Sequence, residues 1–256
     1  MQRRVQEISQ RLADMLAAWP EVEAVVLGEA AGSWILDPYF IIPLDVYHRF
    51  ELPPGGQRRV LFGSPPAFES LPGLSQDRFL LSELPVWVRY QEVGRFAELL
   101  ERIEAQRWVF HDSSPGLFYR LVHGQPLYRR SAWIEDYRER LNRLPDHYWN
   151  VLLDGAKRTF AYALTDLQAA AVREDSLFFA LSLSRFLRGL ASFLFALNHQ
   201  FEPPARLLAR NLPRLARLPD GFAGRFESLL REEPELNRER KCEIAGLLAR
   251  SVLSMV

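Results

Sequence analysis

The chain has 256 residues, and 48% of them are hydrophobic, which is enough to bury the core of one large domain or of two ordinary ones. Its 32 basic residues balance its 32 acidic residues, which excludes an overall field that would recruit nucleic acid or an anionic membrane. Cys242 is the single cysteine, which excludes an internal disulfide and a metal site built from a cluster of cysteines. Because the charges balance overall, any site for a polyanion must be a local feature of the surface.

The sequence also bears on cellular location. Residues 2–19 are amphipathic and lack the apolar core of a signal peptide. The most apolar stretch, residues 177–197, is interrupted by Arg185 and Arg188, so no uninterrupted apolar run reaches the roughly eighteen residues that a membrane span needs. We expect a cytoplasmic protein with no membrane partner and no strong signal for nucleic-acid binding.

The N-terminal half mixes helix and strand patterns. Residues 2–19 place apolar side chains on one helical stripe, which ends at Pro20. Two short apolar runs, 22–27 and 40–47, predict strands separated by a loop of small residues. Pro43 lies inside the second run and has no backbone N–H, so we expect that strand at a sheet edge or at a bulge.

The segment that follows is dense in proline and glycine, from residue 51 to residue 75, and predicts an irregular excursion with one short strand at 58–62. Beyond it, alternating and apolar patterns predict two further strands, a helix, one or two helical turns and a last strand. These elements fall at residues 78–84, 85–90, 96–106, 117–122 and 124–128.

From residue 131 onward the pattern is helical, and prolines separate the helices. We expect residues 177–197 to form the central, most buried helix of this half. Strands that precede a run of helices are typical of an α+β fold. The expected division is a mixed-sheet domain with flanking helices at residues 1–130 and a helical bundle at residues 131–256.

The first two predicted strands and the loop between them resemble the signature of the nucleotidyltransferase superfamily, which has a polymerase-β-like fold. In that family the first strand ends in Gly-Ser, and the second carries an Asp-x-Asp pair that holds divalent metals. Gly28 matches the family glycine, but Glu29 stands at the serine position. The two metal positions fall on Ile41 and Pro43 in one register and on Pro43 and Asp45 in the other. Either way, at least one aspartate is missing.

Two further positions of the resemblance lack their acids. The family takes a third carboxylate from a later strand, where this chain offers Val86 or Trp87. Residues 124–128 resemble the family's Gly-x-x-Leu-Tyr-Asp strand, but Arg129 replaces its aspartate. Because one carboxylate does not hold Mg²⁺ against its reluctance to lose water, these losses imply damaged metal chemistry.

The helical half extends the resemblance. Residues 187–208 are similar to the helical-domain motif of bacterial two-domain nucleotidyltransferases, which is often known only as a domain of unknown function. Asn198 and Pro203 match that motif, and Arg206 replaces its lysine. The resemblance therefore covers most of the chain.

The resemblance favours a degenerate nucleotidyltransferase that lacks metal-dependent transfer and any cofactor, and that keeps at most a role in binding a nucleotide, a small molecule or a protein partner. One alternative is an active enzyme that uses Mg²⁺ to move a nucleotidyl group from an NTP to an antibiotic-like small molecule or a protein. Another is an antitoxin-like interaction module, and a homodimer is compatible with each. We expect the ligand at the junction of the two domains. The candidate residues are Asp45 for catalysis and Gly28, Glu29, Ser33, Asp37, Arg89 and Arg206 for ligand binding, with no metal ligands.

Overall fold

The chain forms two compact units in the computed structural model. The first extends to Leu144, further than the domain boundary that we expected at residue 130, and the second begins at Pro145. The first contains the sheet, and the second is helical. The predicted α+β fold is thus confirmed. The structure describes residues 2–28, 40–71, 75–107, 114–233 and 235–256.

A six-stranded mixed sheet forms the centre of the first unit. Its elements are α1 (Gln2–Ala17), β1 (Val22–Leu27), β2 (Ile42–His48), α2 (Gly55–Leu61), β3 (Glu69–Leu71), β4 (Gln76–Leu81), β5 (Leu84–Glu92), α3 (Val93–Glu104), α4 (Ser114–His123), β6 (Gln125–Arg129) and α5 (Trp133–Asn142). The strand order is β3-β4-β5-β2-β1-β6. Strand β2 runs parallel to β5, and the other neighbouring pairs are antiparallel.

Strand β1 lies where the sequence predicted it. All six of its side chains are buried, because it has a neighbouring strand on each side and helices pack over the sheet. One of those helices is α1, whose apolar stripe includes the fully buried Leu12 and Leu16. The helical period of the N-terminal sequence therefore encodes the cover for one face of the sheet.

Strand β2 is central rather than at an edge, so the position expected from Pro43 is wrong. The N–H and C=O groups of one strand residue point to the same side, and the Pro43 carbonyl accepts a hydrogen bond of 2.9 Å from the Gly28 N–H. The donor that Pro43 lacks thus faces the β1 side, at the place where β1 ends at Leu27. No hydrogen bond to β5 is lost, which is why a central strand tolerates this proline.

Strand register defines two faces of the sheet. Leu44 and Val88 are paired neighbours on one face and belong to the core that includes α1. Asp45 and Arg89 are paired neighbours on the other face, which we call the Asp45 face. Tyr47 follows Asp45 by two residues and shares this face. Asp77 of β4 pairs with Val88 and shares the first face, so each face carries one buried aspartate.

Helix α2 occupies the place where a short strand was predicted at residues 58–62. The residues Arg-Arg-Val-Leu-Phe suit a strand by composition, but Arg58 is buried and contacts three other segments of the unit. Its guanidinium binds Asp77 of β4 and the Pro53 carbonyl. Such tertiary contacts outweigh a weak local strand propensity.

The second unit is built from helices packed around an apolar core. They are α6 (Asp146–Val172), α7 (Ser176–Leu197), α8 (Ala205–Asn211), α9 (Phe222–Leu230) and α10 (Arg238–Leu253), and a 3-10 turn lies at Leu212–Arg214. Asp175 caps α7, since its side chain accepts a hydrogen bond from the Phe178 N–H.

Helix α7 contributes the central part of the core of this unit, as the sequence predicted. Phe186 and Leu190 are fully buried, and Phe193 is 1% exposed. By length and composition, α7 is also the one helix in the described stretches that could cross a membrane, with 44% of its apolar window buried. A core helix of a bundle meets the same criteria, so this is weak evidence for a membrane span.

Candidate functional site

Asp45 lies in the middle of the sheet and is completely buried. Its strand places Val26 of β1 on one side and Arg89 of β5 on the other, both in direct register. A buried carboxylate needs a charged partner or several hydrogen bonds, because removal from water strongly disfavours the ionised form. The neighbouring strand supplies that partner.

Arg89 holds Asp45 with a two-pronged contact. Its Nε donates to Oδ1 at 2.9 Å and its Nη2 donates to Oδ2 at 2.9 Å, so both carboxylate oxygens are engaged. A planar guanidinium matches a carboxylate in this geometry, which is among the strongest hydrogen-bonding arrangements in proteins. The strand next to Asp45 therefore places an arginine directly beside the carboxylate.

A second arginine reaches the same carboxylate from helix α4. The Nε of Arg120 donates to Asp45 Oδ1 at 3.3 Å, and its Nη1 donates to the Gly116 carbonyl of the same helix at 3.1 Å. The carbonyl contact fixes the Arg120 side chain along the helix. Asp45 is thus shared by guanidinium groups from a strand and a helix.

The charges at Asp45 do not balance. Among the described residues, one carboxylate faces two guanidinium groups, so these three side chains carry one positive charge in excess. The side chains of Arg89 and Arg120 are only 25% and 26% exposed, and water screens their charge less than it would at the surface. A partly buried excess of positive charge attracts an anion.

A third arginine, Arg138 of α5, binds the end of helix α4, the helix that carries Arg120. Its Nε and Nη2 donate to the carbonyls of Leu121 and Gly124, at 2.9 and 2.6 Å. These carbonyls belong to the C-terminal end of α4, where the helix dipole favours a cation. Burial lowers the pKa of Arg138, although a guanidinium stays charged at any physiological pH.

Tyr47 completes the buried part of the Asp45 face. It is 0% exposed, and its ring lies 5.4 Å from that of Phe96 and 5.2 Å from that of Trp133, measured between centroids. Burial raises the pKa of Tyr47 well above its ordinary value, and the Asp45 carboxylate raises it further, against smaller opposing effects of Arg120 and Arg89. The phenol therefore stays protonated and can donate a hydrogen bond.

The described residues at Asp45 do not fit a divalent cation. Both oxygens of the carboxylate already accept hydrogen bonds from guanidinium groups, and Mg²⁺ prefers several oxygen ligands without adjacent positive charge. Within the stretches that the structure describes, no group of three or more His, Cys, Asp or Glu side chains could hold a metal ion.

Gly28 has a packing role in the structure. A Cβ added there would lie 2.9 Å from Cγ of Pro43, closer than side-chain carbons ordinarily approach. The glycine therefore allows the end of β1 to pack against the proline of β2. The ligand-binding role expected of Gly28 stays a prediction.

The other predicted site residues are distributed as follows. Asp45 and Arg89 come together, whereas Arg206 lies exposed on α8 of the second unit. Glu29, Ser33 and Asp37 lie outside the described residues.

Sequence reasoning missed Arg120 and Tyr47. Arg120 belongs to a short helix with no recognisable motif, and 75 positions separate it from Asp45 in the chain. The alternation of β2 places Tyr47 on the same face as Asp45, which was the one available signal for it.

No protein-family model matches the chain, and no curated protein does. Among solved structures, the chain is similar to a nucleotidyltransferase-like protein from Exiguobacterium sibiricum, with 14% sequence identity and a TM-score of 0.47. The similarity covers 98% of this chain and 75% of that one.

Proposed function

We propose that the chain is a nucleotidyltransferase-like protein that does not carry out metal-dependent nucleotidyl transfer, and that its first unit binds a nucleotide or another small anionic molecule through arginines. The observation that carries this proposal is the double engagement of Asp45 by Arg89 and Arg120. The two guanidinium groups take the place that a catalytic metal would need next to the carboxylate. The choice of nucleotide as the first ligand to test rests on the sequence resemblance.

The electrostatics of the cluster support an anion as ligand. In a two-metal site, the ions stabilise the attacking and leaving oxygens of a transferred phosphoryl group. Arginine side chains neutralise phosphate charge without a metal, but they do not activate a nucleophile by coordination. An arginine cluster of this kind is therefore suited to binding rather than to transfer.

A pyrophosphate-release assay tests the loss of transfer. We expect no release from any of the four NTPs with either Mg²⁺ or Mn²⁺ and a panel of hydroxyl acceptors. Robust release that disappears in Asp45→Asn would show that the carboxylate serves a metal after all, and would overturn the proposal. Asp45→Ala should change nucleotide affinity by less than about tenfold, or 1.4 kcal/mol, because Asp45 is not a ligand in this proposal.

Calorimetry with ATP in the absence of divalent metal tests the binding role. Arg89→Lys keeps the positive charge but loses the planar guanidinium and its set of N–H donors, so the affinity for ATP should fall. Arg206→Ala tests Arg206 of the second unit, which the sequence analysis predicted as a ligand-binding residue. Arg95→Ala is the matched control, because Arg95 is an exposed arginine of α3. Equal affinity in the wild type and Arg89→Lys would contradict the proposed binding site in the first unit, whatever the effect of Arg206→Ala.

A further inference from the structure

Two buried polar groups on the Asp45 face have no hydrogen-bond partner among the residues that the structure describes. They are the Tyr47 hydroxyl and the Trp133 indole N–H. Tyr47 is 0% exposed and Trp133 is 7% exposed. Buried donors are nearly always satisfied in folded proteins, because leaving one unpaired destabilises the folded state. The two groups belong to rings that contact each other, which indicates a hydrogen-bond partner beyond the described residues.

The Tyr47 hydroxyl lies in the field of the arginine cluster. Tyr47 and Asp45 project from the same face of β2, two residues apart. The charges of Asp45, Arg120, Arg89 and Arg138 all act on the hydroxyl. The unpaired donor and the excess of positive charge are therefore features of one region.

We infer that this region is a receptor for a phosphate-class oxyanion, and that the Tyr47 hydroxyl and the spare N–H groups of Arg89 and Arg120 are its donors. The inference rests on the proposed function and deepens it, because it names the phosphate group as the part of the ligand that is recognised. It also adds Tyr47 and Arg120 to the binding residues.

The chemistry of the donors favours an oxyanion over other small molecules. A guanidinium has five N–H donors, and the fork on Asp45 uses two of those of Arg89. Arg120 uses its Nε donor and one Nη1 donor, which leaves one further Nη1 donor and both Nη2 donors. Protonated tyrosine and indole add donors and no negative charge. A phosphate offers several strong acceptor oxygens, so it matches a set that consists mainly of donors.

The experiment compares Tyr47→Phe with the wild-type chain, using inorganic phosphate and pyrophosphate as probes and adenosine as a phosphate-free control. Binding is measured by calorimetry, and the melting temperature is measured without ligand. Tyr90→Phe is the matched control, because Tyr90 is also a buried tyrosine of the sheet, but its hydroxyl donates to Asp77 at 2.7 Å.

We expect Tyr47→Phe to weaken pyrophosphate binding about tenfold, the effect of losing one hydrogen bond to a charged group. Without ligand, Tyr47→Phe should melt no lower than the wild type, since the Tyr47 hydroxyl has no partner to lose within the described part of the chain. Tyr90→Phe should melt lower and keep the wild-type affinity. Adenosine should bind more weakly than pyrophosphate.

The possible failures separate the two proposals. If pyrophosphate binds and depends on Arg89 but not on Tyr47, the inference is overturned and the proposed function stands. If Tyr47→Phe lowers the melting temperature as much as Tyr90→Phe does and leaves affinity unchanged, the hydroxyl serves a structural partner such as a buried water, which also overturns the inference. If none of the phosphate probes binds the wild-type chain, the inference falls together with the binding role.

Discussion

Arg58 holds Asp77 in the same two-pronged geometry with which Arg89 holds Asp45, but on the opposite face of the sheet. Both contacts of the Arg58 fork are 2.8 Å long. The surroundings differ: Arg58 also donates to Pro53 and Ser70, and the Tyr90 hydroxyl donates to Asp77. The Arg58 pair is balanced, one charge against one, whereas Asp45 is shared by two arginines. This difference separates a structural ion pair from a candidate binding site.

The balanced pair should be important for stability. Asp77→Asn leaves the Arg58 guanidinium, whose side chain is 10% exposed, without its counter-charge. Loss of one partner of a buried pair typically costs about 3–5 kcal/mol. Urea denaturation would measure this loss, with Glu7→Gln as the control, since the Arg3 and Glu7 side chains are largely exposed and such pairs contribute about 1 kcal/mol or less. Equal effects of the two substitutions would mean that the Asp77 network does not stabilise the sheet.

His48 should make the stability of the first unit depend on pH. Burial lowers its pKa, and this effect outweighs the Phe50 carbonyl and the Glu92 carboxylate, which raise it. The unfolded chain therefore takes up a proton more readily than the folded chain. Stability from His48 should be present above its ordinary pKa of about 6.5 and should be lost as the pH falls below that value.

Urea denaturation of the wild type and of His48→Gln, between pH 8 and pH 5, measures this contribution as a difference. The variant should lose less stability on acidification than the wild type. Parallel curves for the two proteins would show that His48 does not titrate differently on unfolding.

The sequence was most informative where one rule decided the structure. The apolar run ending at Gly28 predicts β1, and the helical stripe from Val5 to Leu16 predicts α1. The rule that places proline at a sheet edge failed at Pro43, because the missing donor faces the end of the β1 ladder. Local sequence does not reveal which neighbour an N–H group faces.

The candidate site was less accessible from sequence, because its contacts are long-range. The resemblance implies acids on the second strand, which made Asp45 a candidate. The alternation of the later strand made Arg89 a candidate. Arg120 comes from a helix whose position over the sheet depends on the whole unit. Unpaired groups such as the Tyr47 hydroxyl become visible only when burial and partners are known together.

Glu202 should lower the stability of the second unit at neutral pH. Burial raises the pKa of its carboxyl, although the Ser192 hydroxyl and the Arg188 charge act in the opposite direction. The folded chain therefore disfavours the ionised form. Glu202→Gln should raise the melting temperature at pH 7.5, and the gain should shrink as the pH approaches the ordinary pKa of 4.5. Thermal melts at pH 7.5 and pH 5 test this prediction. A gain that is the same at both pH values would indicate a packing effect instead.

The last prediction concerns two glycines in helices of the second unit, which should respond to alanine in opposite ways. Gly189 of α7 lies against the backbone of α6, and an added Cβ would be 2.9 Å from the Phe160 nitrogen. Because backbone atoms move only with the whole helix, Gly189→Ala should force the two helices apart and cost about 1–3 kcal/mol. Gly224 of α9 is exposed, and an added Cβ would meet nothing within 4 Å. Gly224→Ala should therefore stabilise the unit by about 0.4–1 kcal/mol, since alanine restricts the unfolded chain and favours the helix. Denaturation of both variants under the same conditions gives the two signs directly. If Gly189→Ala were neutral or stabilising while Gly224→Ala behaved as expected, the close approach of α6 and α7 would be wrong.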